Sequence, residues 1–277
     1  MPQFTGRSLH IGLNSVSPVA YGGWEGALNA CEADAADMLA IARGAGFQGK
    51  ALFSQAATRA AVLEELTSAA ESLNRGDFFL LSNSSHGGQV RDLNGDEHDD
   101  QLDETWCLYD GQLIDDELVE RCAAFARGVR VLIISDSCHS GGMLRLSMTG
   151  AASALPAAGS DPGSVPRAMP QEIVGRAYRA QQALYDGLQS KPAKTEADIQ
   201  ASVVFISGCQ GPQLALDGAF NGAFTAALLR VWNDGSFRGN YRTFHSAIQF
   251  QLPLTQQPNL QTLGQSTSFV IDQPFQI

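Results

Sequence analysis

An α/β domain built on a mainly parallel sheet, with helices on both faces, is the fold this sequence predicts. Three observations predict it. Strand-like and helix-like segments alternate along the chain. Strand-like runs such as Val131-Leu132-Ile133-Ile134 are continuously apolar and β-branched, as strands buried on both faces are. Two of those runs end in Ser/Gly-rich segments that carry a His and a Cys, at the carboxyl ends where open parallel sheets assemble sites.

Leu9 to Asn14 reads as the first strand, followed by a Gly/Pro/Ser-rich loop through Gly23. A helix is expected from near Trp24, with Leu28, Cys31, Ala35, Met38, Leu39 and Ile41 near helical spacing and Gly44 and Gly46 ending it. Lys50 to Phe53 forms a short strand, and Thr58 through Leu73 a helix with Ala61, Leu63, Leu66 and Ala70 available for one face. Gly76-Asp77 turns into the strand Phe78 to Leu81. Ile114 to Phe125 reads as a helix, Arg130 to Asp136 and Val203 to Ser207 as strands, Phe220 to Trp232 as a helix and Ser268 to Ile271 as a late strand. Between Leu146 and Ala201 the pattern gives way to Ala/Gly/Pro/Ser-rich sequence with a helix around Glu172 to Leu188. This linker is basic at Arg167, Arg176, Arg179, Lys191 and Lys194.

A length of 277 residues, 44% hydrophobic and 17% charged, fits one large globular domain with an ample core. The longest apolar runs fall far short of the roughly 20 residues of a membrane helix, and the amino terminus shows no apolar leader after a basic start. A cytoplasmic protein with no membrane partner is the expectation. Five widely spaced cysteines, odd in number and without a CxxC pair, argue against a disulfide framework or a zinc ribbon. The formal net charge of -11 makes nucleic acid an unsuitable partner. Asp92 to Glu120 holds 12 of the 29 acids and no Lys or Arg. Charge so localised suggests a cation site or a solvated acidic loop.

The chemistry concentrates at two strand ends. Phe78 to Leu81 runs into Ser82-Asn83-Ser84-Ser85-His86-Gly87-Gly88, and Val131 to Ile134 into Ser135-Asp136-Ser137-Cys138-His139-Ser140-Gly141-Gly142. A Cys and a His leaving neighbouring strands can meet as nucleophile and base, and small neighbours let backbone NH groups face a developing oxyanion. Spacing alone leaves a packing role open, because any strand can end in Cys or His and free Cys is among the most buried residue types.

These segments resemble the caspase-like cysteine peptidases, and within them the metacaspase and prokaryotic orthocaspase branch. The resemblance rests on His86-Gly87, the acidic stretch, then Asp136-Ser137-Cys138-His139-Ser140-Gly141 after an apolar strand. Further similarity lies in Leu28 to Ala35, Ile206-Ser207-Gly208-Cys209, Asp217-Gly218, Asn221 to Thr225 and Gln257-Pro258-Asn259-Leu260. It implies a caspase-haemoglobinase-like fold with a six-stranded sheet. Residues 1–277 then form a single peptidase domain, with a large-subunit-like region over 1–145, a linker with processing sites over 146–201 and a small-subunit-like region over 202–277.

Residue by residue, the resemblance implies Cys138 as nucleophile, His86 as acid/base, and the amides of Gly87 and Cys138 as the oxyanion hole. It assigns Asp34, Asp136 and Ser84 to the pocket for the residue before the cut, so that peptide or protein substrates are cut after Arg or Lys, Arg being favoured for its planar fork. The linker carries basic residues of the type this pocket would accept, so a monomeric zymogen that cuts its own linker is the expectation. Three departures stand against this pattern. Ser85 replaces a glycine beside the base, which could weaken catalysis. Ala33-Asp34 replaces an Asn-Asp pair. Calcium-activated relatives gather acids from three segments; Asp103, Asp115 and Asp116 match two, while Arg145 stands where the third ligand belongs and would repel Ca²⁺. The implied enzyme therefore has no obligatory cofactor, and Ca²⁺ at Asp103, Asp115 and Asp116 is left as the one possible ion. Ser85 and Arg145 also motivate an alternative, a catalytically silent caspase-like scaffold that binds peptides or protein partners.

Overall fold

The computed structural model describes residues 4–95, 101–138, 165–192, 194–209, 215–264 and 268–277. His139, Arg145 and the first part of the linker lie outside the described residues. The strands β1 (Gly6–Gly12), β2 (Gln48–Phe53), β3 (Phe78–Ser84), β7 (Arg130–Asp136), β8 (Ser202–Ser207) and β9 (Asn259–Gly264) form a six-stranded sheet in the order β2-β1-β3-β7-β8-β9. All pairings are parallel except β8 with β9.

The alternation of side chains across a strand explains why the runs Phe78 to Leu81 of β3, Val131 to Ile134 of β7 and Val203 to Ile206 of β8 are continuously apolar. Phe79, Leu81, Val131, Ile133, Val203 and Phe205 face one core, with α2 (Arg59–Ser72) and α3 (Asp115–Ala124) supplying Val62, Leu66, Leu118 and Val119. Phe78, Leu80, Leu132, Ile134, Val204 and Ile206 face the other. There they meet Met38 of α1 (Cys31–Gly44), Phe224 of α6 (Ala223–Trp232), and Tyr241, Phe244 and Ile248 of α7 (Tyr241–Phe250). Each fully buried side chain of this size stabilises the fold by about 1.5–3 kcal/mol relative to leaving it exposed.

Several elements differ from the sequence expectation. Helix α1 starts at Cys31, not near Trp24, because Gly22, Gly23 and Gly26 take φ of +61°, +95° and +55° and hold the preceding segment as a loop. Much of the acidic stretch is strand: β4 (Gly87–Arg91), β5 (Leu102–Leu108) and β6 (Gly111–Ile114) form an antiparallel three-stranded sheet in which Asp103, Thr105 and Cys107 are buried. The expected late strand at Ser268 to Ile271 is a 3₁₀ turn over Phe269–Ile271, and the polar segment Asn259–Gly264 is the edge strand. The described part of the linker is packed. Its helical stretch breaks at Gln181 into α4 (Gln171–Ala180) and α5 (Gln182–Gln189), and Tyr185 is buried with Val90 and Ile114.

Register sets up the site. Gly12 pairs with Ser84 and Ser84 with Asp136, so β1, β3 and β7 end on a common rung. His86 and Cys138 each lie two residues beyond that rung.

Candidate functional site

Cys138 is fully buried, and Gly87 backs directly onto it. A Cβ on Gly87 would lie 1.7 Å from the Cys138 carbonyl oxygen, so only glycine fits there. The amides of both residues converge on one oxygen: Gly87 N donates to the carbonyl of Arg167 at 2.9 Å, and Cys138 N donates to the same carbonyl at 3.1 Å. The chain bends at Arg167 and is pinned on both sides of that carbonyl. Arg167 N donates to Ala215 O at 2.9 Å, and Asp217 N donates to Val165 O at 2.8 Å. On the other side Met169 N donates to Gly87 O at 2.8 Å. Pro166 bridges Leu216 and Ala168 bridges Gly87.

The Arg167 side chain is fully buried in a pocket of carboxylates. Its Nη2 donates to Asp34 Oδ2 at 2.7 Å and to Asp217 Oδ1 at 2.9 Å. Its Nη1 lies 3.0 Å from Asp136 Oδ2 and donates to Ser84 Oγ at 2.9 Å and to the Asp136 carbonyl at 3.1 Å. Burial works against the guanidinium charge, but the three carboxylates more than compensate and raise its pKa above the ordinary value. Asp34 is pushed up to about 6, chiefly by burial; Arg167 pulls it down and Asp136 pushes it up.

The carboxylates are held from outside the pocket. Ser84 Oγ donates to Asp34 Oδ2, Gly222 N and Asn221 Nδ2 donate to Asp34 Oδ1, and Thr225 N and Oγ1 donate to Asp136 Oδ2. Asn29 N donates to Asp217 Oδ2 at 2.7 Å.

The Cys138 and His86 side chains are engaged separately. Cys138 Sγ accepts from Ala215 N at 3.0 Å, and burial first, then Cys209, pushes its thiol pKa up. His86 Nε2 lies 3.2 Å from Gly26 O, so Nε2 carries the proton and donates. Its Nδ1 is buried without a hydrogen-bond partner among the described residues. Trp24 packs against the imidazole with ring centroids 4.7 Å apart. Burial pulls the His86 pKa down to about 4, against the raising effect of the Gly26 backbone; the Ala168 backbone also raises it. Ser85 fits without a left-handed backbone, donating from Oγ to the His86 carbonyl and accepting from Asn83 Nδ2.

The structure thus gathers Asp34, Ser84, His86, Gly87, Asp136 and Cys138 around the Arg167 peptide. The sequence reading does not place Asp217, Thr225 or Gly222 in the pocket. Nor does it single out Arg167 among the linker cations. The signal available for Asp217 is its place beside Gly218 in a segment already similar to the family. Asp103 and Asp115 are buried near β5 and α3, whereas Asp116 is partly exposed and accepts from Asn94 Nδ2 at 2.8 Å. Among the described residues, no group of three or more His, Cys, Asp or Glu side chains could hold a metal ion. No described helix is long and apolar enough to cross a membrane.

This fold and these strand-end residues place the chain in a known class: it belongs to the caspase-domain family, whose model matches residues 16–269. It is a caspase-like protein of the metacaspase type. Metacaspase-1 of Schizosaccharomyces pombe is 30% identical over 170 residues, 55% of this chain and 40% of that protein. Metacaspase-1 of Coccidioides immitis is 30% identical over 198 residues, 62% of this chain and 40% of that protein. The chain spans about two fifths of the length of these two relatives. A crystal structure of a Geobacter sulfurreducens protein superposes with a TM-score of 0.85 at 48% identity, covering 99% of both chains. Caspase-1 of Spodoptera frugiperda shares the fold, with a TM-score of 0.56 at 12% identity over 96% of this chain and 92% of that one.

Proposed function

We propose that this chain is a cysteine endopeptidase that hydrolyses peptide bonds after Arg, and less efficiently after Lys. One observation carries the reading: an arginine side chain fills the carboxylate pocket while its own carbonyl accepts from the Gly87 and Cys138 amides. A pocket for the residue before a cut and an amide pair for the polarised carbonyl must stand one residue's reach apart, and here a single residue spans them.

In the proposed reaction His86 Nδ1 takes the Cys138 thiol proton, its proton on Nε2 being fixed by Gly26 O. The thiolate attacks the carbonyl carbon, and the negative charge that develops on the oxygen is met by the two amides. The C–N bond breaks as the imidazolium returns its proton to the leaving amine, and a thioester remains. Water, deprotonated by His86, then attacks the thioester; the C–S bond breaks, the thiol regains its proton and the carboxyl product leaves. The depressed His86 pKa keeps the ring neutral at pH 7, as a base requires.

Arg is preferred to Lys because Nη1 and Nη2 address different carboxylates at once, whereas a single ammonium cannot span them. A peptide ending in Asp would place a fourth carboxylate beside three and be rejected. The test is fluorophore release from peptides ending in Arg, Lys and Asp, with calcium or chelator, by wild type and Cys138→Ala. Release after Arg and Lys that is lost in Cys138→Ala supports the reading, and the chelator arm reads any calcium requirement.

The separate engagement of Cys138 with Ala215 and of His86 with Gly26 favours the second reading, a silent scaffold that holds basic peptides in this groove. That reading predicts binding of an Arg-containing peptide without release of fluorophore under any of these conditions.

A further inference from the structure

We propose that the Arg167–Ala168 peptide bond is this chain's own first substrate, cut within the same molecule, and that the uncut segment closes the site to other substrates. The inference rests on the peptidase reading and names a bond that the reading leaves open.

Arg167 is distinguished from the other basic residues of its region by conformation and burial. Arg176 and Arg179 are exposed and lie within helix α4, where the backbone is already hydrogen-bonded to itself. Lys191 and Lys194 are exposed beyond α5. Residues 165–169 are instead outside any helix and bend at Arg167, and they pair with Ala215, Leu216 and Asp217 on one side of the bond and with Gly87 on the other. Strand addition of this kind presents a peptide backbone to a cleft with main-chain hydrogen bonds while alternate side chains enter pockets. Here the side chain that enters is Arg167, and the next residue, Ala168, packs against Cys138 in the small cluster with Cys209 and Ala215. The backbone carbonyl of Ala168 also lies against His86, on the leaving side of the bond.

The balance of the step is simple hydrolysis. The Arg167 C–Ala168 N bond breaks, a thioester forms between Arg167 C and Cys138 Sγ, and the His86 proton goes to the Ala168 nitrogen. Water then releases the Arg167 carboxylate and restores the thiol. The Cys138 side chain, whose Sγ now accepts from Ala215 N, must turn to the Arg167 carbonyl carbon before it can attack. Until then, the guanidinium fills the pocket and the carbonyl fills the amide pair, so an incoming arginine finds both taken.

The experiment is intact-mass analysis of the full chain over time, at protein concentrations spanning a hundredfold, for wild type, Cys138→Ala, Arg167→Gln and Arg167→Lys. Turnover of an Arg peptide is followed in the same samples. Wild type is expected to split into a fragment ending at Arg167 and one starting at Ala168, with a first-order rate independent of concentration, and peptide turnover rises at least tenfold as the cut proceeds. Cys138→Ala stays whole. Arg167→Gln stays whole at this bond and turns over peptide without a lag. Should its three carboxylates, left without a cation, prevent folding, Arg167→Lys retains a charge and is expected to split at least tenfold more slowly than wild type. A wild-type chain that turns over Arg peptides but stays whole, or is cut only elsewhere, overturns the inference and leaves the peptidase reading standing. A rate proportional to concentration also overturns it, since the cut would then be made by another copy. Absence of both peptide turnover and self-cleavage overturns both readings.

Discussion

Two buried arginines hold this molecule together in different ways. Arg59 of α2 meets a single carboxylate, Glu117 of α3, in a bidentate pair with contacts of 3.0 Å and 2.7 Å, and also donates to the Gln112 carbonyl. Arg167 meets three carboxylates at once. The first arrangement is a neutral pair that joins two helices, with nothing in excess. The second leaves more negative charge than its arginine neutralises. It also adds what a structural pair has no use for, a carbonyl docked on two amides beside a cysteine. Matched charge suits a permanent tie, whereas surplus charge around a docked peptide is what the proposed peptidase reading expects of a seat whose occupant changes.

The largest expected effect separates the two by removing one pocket carboxylate. Asp136→Asn takes away an ionic partner of the guanidinium but leaves two carboxylates to balance Arg167, so kcat/KM for Arg peptides should fall about a hundredfold or more, roughly 3 kcal/mol. The folding midpoint should move by only a few degrees. If instead Asp136→Asn sharply lowers the midpoint and spares turnover, Arg167 belongs with Arg59 as a structural residue. Glu117→Ala is the mirror experiment. It strands a buried guanidinium and should cost about 3–5 kcal/mol, a midpoint lower by roughly 10 °C for a domain of this size. Turnover by the folded fraction should stay within about twofold, because Glu117 contacts none of the groups around Cys138. Thermal melts paired with peptide assays read both variants.

A smaller effect sharpens the shape of the seat. Gly222 lies against the guanidinium, and a Cβ there would stand 2.5 Å from Arg167 Nη1 and 2.6 Å from Asp136 Oδ2. Gly222→Ala should therefore lower Arg-peptide kcat/KM by about tenfold, on the order of 1.4 kcal/mol, and narrow the preference for Arg over Lys. An unchanged Arg-to-Lys ratio would mean that the pocket gives way at this wall.

The difference between the two arginines also shows what the sequence makes legible. The apolar runs of β3, β7 and β8 announce a two-faced core, and their carboxyl ends carry His86 and Cys138 in plain view, since pattern and site coincide there. Asp34 and Asp136 are legible through the resemblance of their segments to a family. Asp217 and Arg167 are not, because each reaches the pocket through long-range pairing: Asp217 through Asn29 and Val165, and Arg167 through Ala215 and Gly87. Nothing local to Pro166-Arg167-Ala168 distinguishes it from other basic linker sequence. Strands β4 to β6 are hidden for a related reason. Their partners are each other, and glycines in β4 and β6 and the acids Asp103 and Glu104 in β5 interrupt the apolar alternation by which a strand is read from sequence.

The smallest expected effect tests whether the pocket charge acts on the cut as a seat should. Asp34 has its pKa raised to about 6, first by burial, while burial lowers that of His86 to about 4. Between these values the imidazole remains a neutral base and Asp34 takes up a proton, so Arg167 loses one charge-assisted partner but keeps Asp136 and Asp217. The first-order rate of the Arg167–Ala168 cut should therefore fall by about fivefold between pH 7 and pH 5, the loss of roughly 1 kcal/mol of differential interaction. The sign for stability is the opposite. The folded pKa of Asp34 lies above its unfolded value near 3.8, so the folded state binds the extra proton between these limits. Its contribution is greatest below about pH 4 and is lost as pH rises through 6. Asp34→Asn should remove both trends, leaving an acid limb near pH 4 from His86 alone. A rate profile that keeps its inflection near 6 in Asp34→Asn would assign that proton to another group and detach the pocket charge from the cut.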